Sequence, residues 1–217
     1  MQTYVSDSSL WLALVSVVVI ALIGCEKRKP PAFDLSTPQA AAMTFVRAIE
    51  SGDSATARRA AIAGGIEWDM VDAMADATAG MRALREAATR KFGADVQRVI
   101  DPHTTIDLSA KLKDADVVSD GKSATITPKD GQNQIKLKRV EEGWKVDVGA
   151  LTRGQDITQA VPMFNAVART SKEVAGEIDA GKYDSIISVQ AALQRKVIER
   201  MIRANATTAP ATTRSAG

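Results

Sequence analysis

One cysteine, Cys25, and one histidine, His103, are the chain's whole supply of the side chains that most often bind zinc, form disulfides or shuttle protons near neutral pH. That stoichiometry excludes zinc sites built from several Cys and His, disulfide frameworks and CxxC redox pairs. His103 follows Asp101-Pro102 and precedes Asp107, a setting open to general acid–base work or one metal ligand. A working site needs partners converging from distant segments, and the plainer reading is a surface turn. Gly176-Glu177-Ile178-Asp179-Ala180-Gly181-Lys182-Tyr183 approaches a phosphate-binding loop, with Tyr183 where a magnesium-binding hydroxyl belongs. A true loop of that kind follows a strand and opens a helix, whereas this octet closes an amphipathic run. Asp120-Gly121-Lys122-Ser123 repeats the terminal Gly-Lys-Ser but has Asp116 in place of the first glycine, and it reads as a hairpin turn.

Asp69, Asp72 and Asp76 fall at i, i+3 and i+7 and, with Glu67, could attract a cation. A solvated acidic face opposite the apolar stripe is the simpler expectation. Trp68 and Trp144 are candidate stacking platforms for a ligand, yet large aromatics at a helix start and inside a strand usually belong to a core. Asn205-Ala206-Thr207 matches a glycosylation acceptor and is assigned to the tail. The sequence therefore yields no catalytic, cofactor or metal assignment. With 28 basic against 26 acidic residues, the net charge of +2 also gives no broad basic field for nucleic acid.

Cys25 has a more definite context. Leu10 to Ile23 reads LWLALVSVVVIALI, apolar except for Ser16, and is followed at once by Gly24 and Cys25. As a helix this run spans roughly 21 Å at about 1.5 Å per residue, short against a hydrocarbon core of about 30 Å. It reads as the apolar core of an export signal ending in a small residue. Leu22-Ile23-Gly24-Cys25 resembles the lipobox of bacterial lipoproteins. The resemblance implies diacylglycerol on the Cys25 thiol, cleavage before Cys25 and acylation of the new amine. Glu26, rather than Asp, next to the cysteine implies by the same analogy an outer-membrane protein facing the periplasm.

Two features depart from the pattern: MQTYVSDSSL carries Asp7 and no base, and Lys27-Arg28-Lys29 lies on the far side. With Ser8 and Ser9 included, the segment reaches the lower length limit of a spanning helix, so an uncleaved anchor is the alternative. Cleavage would remove one acid and no base, taking the charge from +2 to +3. Lys27, Arg28 and Lys29 would then sit at the headgroups or begin a solvated linker.

The elements that must position any site follow from periodicity and punctuation. Pro30-Pro31 breaks regular structure in a tether over 25–35. Thr37-Pro38 starts a helix carrying Ala42, Phe45, Val46 and Ile49 and ending at Gly52. Asp53 caps a second, alanine-rich helix to about Ala63. Glu67 to Phe92 is a long third helix with Met70, Val71, Met74, Ala77, Met81 and Leu84 on one stripe. The segment 94–113 is read as weakly helical. Four short runs separated by Asp120-Gly121, Asp130-Gly131 and Glu142-Gly143 then predict an antiparallel meander with one wet face.

After Gly154, two amphipathic stretches predict a helical hairpin. The first carries Ile157, Val161, Phe164, Val167, Val174 and Ile178, and Pro162 suggests a start near Ala160 or a kink. The second is capped by Asp184 and carries Ile186, Val189, Leu193, Val197 and Met201. Residues 207–217 lack large apolar side chains and are expected to be disordered.

The expected fold is α+β: N-terminal helices on a four-stranded antiparallel, cone-like meander over 36–150, then a hairpin over 151–206 that packs on or extends it. Thr37-Pro38 with Ala42, Phe45, Ala48, Gly52 and Asp53, and Gly143-Trp144-Lys145-Val146 in the last strand, carry a resemblance to the nuclear transport factor 2-like (cystatin-like) cone. The resemblance is especially to the small bacterial lipoproteins of uncharacterised function in that superfamily. The enzymes of the superfamily place Asp, Tyr or His inside an apolar cone; no residue here matches them position by position.

The expected protein is thus a signal peptide over 1–24 and a lipid-anchored envelope body that binds rather than catalyses. Membrane lipid is its partner through acylated Cys25. A protein partner, a small apolar ligand and a homodimer are open, and nucleic acid and cofactors are not expected. The alternatives are a small apolar-ligand carrier, a cone-fold enzyme, or a body held by an uncleaved helix.

Overall fold

The computed structural model describes residues 33–93, 96, 108–131, 134–152 and 156–208. Helix α1 (Pro38–Ser51) begins as its residues dictate: the Thr37 hydroxyl accepts the Ala40 N–H at 3.1 Å and Pro38 occupies the first turn. It ends at Gly52, whose φ of 73° is open to glycine and where a Cβ would come within 2.7 Å of Ala79 Cβ. Helix α2 (Ser54–Arg59) is capped by Asp53, which accepts the Thr56 N–H at 2.9 Å.

Here the expected helix to Ala63 fails. The chain turns at Ala60 and forms strand β1 (Ala61–Ile62), which runs parallel to β5 (Gly143–Asp147) with Ala61 opposite Val146. The Val146 N–H donates to the Ala60 carbonyl at 2.9 Å, and Ala60 and Ala61 are buried. Alanine's helix preference is weak, under about 1 kcal/mol per residue against most side chains, and a tertiary strand pairing overrides it.

The predicted meander is present as β2 (Asp116–Ser119), β3 (Ser123–Thr127), β4 (Ile135–Val140) and β5, all antiparallel. With β1 added the sheet is five-stranded and mixed, in the order β1-β5-β4-β3-β2, which corrects the expected four antiparallel strands. The broad α+β class stands. Ile126, Leu137, Trp144 and Val146 alternate onto the inner face and pack against Ala42, Phe45 and Val46 of α1. Lys136 and Lys138 point to the wet face, as alternation requires.

Helix α3 (Ile66–Phe92) matches its predicted span and serves two cores. Val71 and Ala75 join the sheet core, while Leu84, Ala87 and Ala88 meet the C-terminal helices. Two short helices follow, α4 (Leu108–Lys113) and α5 (Val148–Leu151). Of the segment expected to be weakly helical, 108–113 is helical and 94–95 and 97–107 lie outside the described residues.

The hairpin is α6 (Ile157–Asp179) and α7 (Ile186–Thr208). Asp156 caps α6, accepting the Thr158 N–H at 3.1 Å, so the helix starts three residues before Ala160 and contains Pro162. Pro162 lacks only the N–H that would reach back to the Thr158 carbonyl. Ser185, not Asp184, caps α7, its hydroxyl accepting the Ser188 N–H at 3.2 Å. Helix α7 runs through Asn205-Ala206-Thr207 to Thr208, past the point where the tail was expected.

Helix α6 lies parallel to α3: Gly80 faces Ala168, Met81 meets Ser171, and Arg90 pairs with Asp179 at 3.0 Å. Helix α7 returns antiparallel on α6. The hairpin therefore docks on the long helix, one layer away from the sheet. A Cβ on Gly80 would lie 2.7 Å from the Ala168 carbonyl oxygen, a backbone atom that cannot step aside. Gly176, exposed in α6, has open space around it. In urea unfolding, Gly80→Ala is expected to lose about 1–3 kcal/mol through overpacking despite the better helix former. Gly176→Ala is expected to gain up to about 1 kcal/mol.

Candidate functional site

Among the described residues, two places that gather polar side chains are candidates for a site. The first is a surface groove of about 470 Å³ where the chain enters the fold, lined by residues including Phe33, Asp34, Arg139, Glu142 and Trp144. The entering segment is pinned there: Trp144 N–H donates to the Leu35 carbonyl at 2.9 Å, and the Thr44 hydroxyl donates to the Asp34 carbonyl at 3.0 Å. Gly143 is the only residue type that fits beside it, with φ at 123° and a Cβ position 2.5 Å from the Leu35 oxygen. Asp34 is already engaged by Ser36, whose side chain first and then its N–H, donating at 2.9 Å, hold its carboxyl below the usual range. The Arg59 guanidinium covers the Phe33 ring at 4.0 Å. The groove is shallow and open.

The second is an ionic cluster across the α6–α7 interface. Glu173 and Glu177, one turn apart on α6, face Lys196 and Arg200, one turn apart on α7. Lys196 reaches Glu177 at 2.8 Å, the Tyr183 hydroxyl donates to the same carboxylate, and Lys182 pairs with its other oxygen at 3.0 Å. These three donors, Lys196 first, hold the Glu177 carboxyl down at about 2. Burial, then the Glu177 charge, push the Tyr183 hydroxyl up. Lys196 is raised although burial opposes it, because two carboxylates stabilise its charge.

This cluster contains the phosphate-loop look-alike and explains why it is none. Gly176–Tyr183 forms the C-terminal turn of α6 and the connection beyond it. The Ala180, Gly181 and Lys182 N–H groups donate to Gly176, Ile178 and Glu177 carbonyls, so they are not aimed at an anion. A helix C-terminus also carries negative partial charge, which repels phosphate. The Asp120–Ser123 look-alike is a hairpin turn as expected. Its Lys122 and Ser123 N–H groups donate to Asp120 at 2.8 and 2.6 Å, and this holds that carboxyl below its usual range.

The acidic face of α3 is dispersed rather than convergent. Asp72 takes a two-pronged pair from Arg58, Asp76 meets Lys172 at 3.4 Å, and Glu67 accepts the Gly64 N–H at 2.9 Å. Among the described residues no group of three acidic, His or Cys side chains is placed to hold a metal ion. Trp144 is core, as predicted. Trp68 is half-buried against the core, with the Arg58 guanidinium 5.2 Å from its ring centre. Cys25, His103, Asp101 and Asp107 lie outside the described residues.

Sequence reasoning missed the Glu173–Lys196 and Glu173–Arg200 pairs. The available signal was the matched one-turn spacing of two acids and two bases on neighbouring amphipathic helices. No protein-family model, curated protein or solved structure matches this chain.

The cluster makes the hairpin acid-sensitive. Glu177 has its folded value depressed from 4.5 to about 2, so its contribution is complete above the unfolded value and is lost as pH falls through that window. Glu177→Gln imitates the protonated form. Thermal midpoints of the parent and Glu177→Gln proteins should differ by a constant amount above about pH 5.5, and the gap should shrink steadily toward pH 2. A gap that is unchanged at pH 2.5 would show that the carboxylate charge does not hold the hairpin.

Proposed function

We propose that this protein is a lipid-anchored component of the bacterial cell envelope whose folded body acts by binding. The observation that carries this reading is Leu22-Ile23-Gly24-Cys25 at the end of a short apolar run. The fold is compatible with that anchor. In sequence the pinned segment at Leu35 follows closely on Cys25, and the eight residue steps from Cys25 to Phe33 reach at most about 28 Å when extended. More than one acyl chain, at about 0.8 kcal/mol per buried methylene, makes such attachment stable without a spanning helix. Among the described residues no helix is long and apolar enough to cross a membrane.

Binding rather than catalysis is supported by how the polar side chains are used. Glu177, Asp72, Asp120 and Asp34 each serve a local structural bond, and the inner sheet face is filled by Ile126, Leu137 and Val146. The cone-like interpretation of 36–150 belongs to the same proposal, as does an outer-membrane position facing the periplasm. Expressed in a bacterial host, the parent chain should lose residues 1–24 and carry acyl mass on an amino-terminal Cys25, while Cys25→Ser should retain its leader and lack that mass. An unmodified Cys25 in a chain that still begins at Met1, measured by mass spectrometry, would refute the anchor.

A further inference from the structure

Helices α6 and α7 are equally long but unequally buried. Of the 23 residues of α6 eleven are buried, whereas among the described side chains of α7 only Val189 and Ala192 are. Ile186, Leu193 and Met201 pack in part against the neighbouring cores, and Ile187, Ile198 and Ile202 lie outside them. One valine and one alanine remove little apolar surface from water, and apolar attraction scales with that area. What α7 offers α6 instead is charge. Lys196 and Arg200 lie on its inner side with side chains 19% and 35% exposed, each on a carboxylate of α6.

Such pairs contribute little while both partners are charged, because each has given up water. Neutralising one partner is another matter, since the remaining charge then has neither water nor a counter-ion. Protonation of Glu173 and Glu177 leaves Lys182, Lys196 and Arg200 around one interface without the carboxylates that pair them. The surrounding groups do not replace those carboxylates. Tyr183 is neutral in acid and donates to Glu177, Arg195 adds positive charge and has Glu199 at 4.0 Å, and Asp184 is exposed in the connection. On α3 the side toward α6 is apolar, with Met81, Leu84 and Ala88, and its Arg90 and Asp76 are taken by Asp179 and Lys172 in exposed pairs that contribute little. The topology also lets α7 leave alone. It is the last element among the described residues, and residues 182–185 before it belong to neither helix.

We propose that α7 is an acid-released latch: when Glu173 and Glu177 take up protons, α7 separates from α6 as one unit, turning about residues 182–185, while α3, α6 and the sheet stay assembled. The body keeps its form because α6 is held on α3 by apolar packing at Phe164, Ala168, Val174 and Ile178, which acid leaves intact. Local opening of the least buried element ahead of the rest is the usual order in which a fold comes apart. The release does not depend on the anchor.

The test is hydrogen exchange read by mass spectrometry on the full-length chain in a non-ionic detergent, each rate divided by the intrinsic rate at the same pH. The Glu177 carboxylate, held at about 2 in the closed form against its ordinary 4.5, acts fully above the ordinary value and loses its effect as the pH falls toward 2. Protection of residues 189–204 should therefore drop at least about tenfold between pH 7 and pH 3, while α3, α6 and β3–β5 keep theirs. Glu173→Gln with Glu177→Gln should show the lower protection of α7 already at pH 7, with no further drop in acid. Adding Lys196→Met and Arg200→Met, which removes the unpaired cations, should restore protection and retain it at pH 3. The inference is overturned if α7 is equally protected at both pH values, if it opens only together with α3 and the sheet, if the two glutamines leave it as protected as the parent at pH 7, or if the four-fold variant opens in acid as the parent does. These readings are independent of Cys25 acylation, which is measured separately by mass.

Discussion

The missing side chain at Gly80 sets how closely α3 and α6 can approach, and the hairpin's place in the molecule depends on that approach. The Ala168 carbonyl occupies the space a Cβ would need, and Ala73, Ala77, Ala87 and Ala88 continue a seam of small residues on α3. Separation of packed helices follows the size of the contacting side chains. Larger residues here would push α6 outward and carry α7 with it. Because Val71 and Ala75 on the same helix belong to the sheet core, α3 is shared by the two halves and couples their geometry.

The ionic cluster acts on the next layer in a different way. Half-buried ion pairs give up hydration for their attraction, so their net contribution to stability is small relative to their number. Their geometric effect is larger. Glu173 and Glu177 meet Lys196 and Arg200 in one antiparallel register, and a one-turn slip of α7 would keep one base on the carboxylates and lose the pairing of the other. Apolar packing of Val174, Ile178 and Val189 tolerates small displacements that charge pairing does not. Packing holds the hairpin on α3, and charge decides where along it α7 sits.

Much of this was legible in the residues. Thr37-Pro38, Gly52 and Gly93 bound their helices because caps and terminators act locally. Three turn motifs placed the meander because a hairpin's register is set within a few residues. Strand β1 was illegible: two residues show no periodicity, and Ala61 continues the alanine pattern of the preceding helix. Only the backbone of β5, more than eighty positions away, makes Ala61–Ile62 a strand. The choice between Asp184 and Ser185 as a cap was similarly undetermined, since adjacent residues offered the same chemistry. Of the candidate sites, both phosphate-loop look-alikes were decided correctly by context, whereas the cross-helix charge cluster required knowing which two helices touch.

The last helix inverts the usual economy of a surface helix. Its charged Lys196 and Arg200 turn toward the protein, where carboxylates of α6 receive them, and Ile187, Ile198 and Ile202 turn away. An isolated bundle gains nothing from that arrangement, because the apolar side chains would be better buried and the charges better hydrated. It becomes favourable when the inner face must be exact in register.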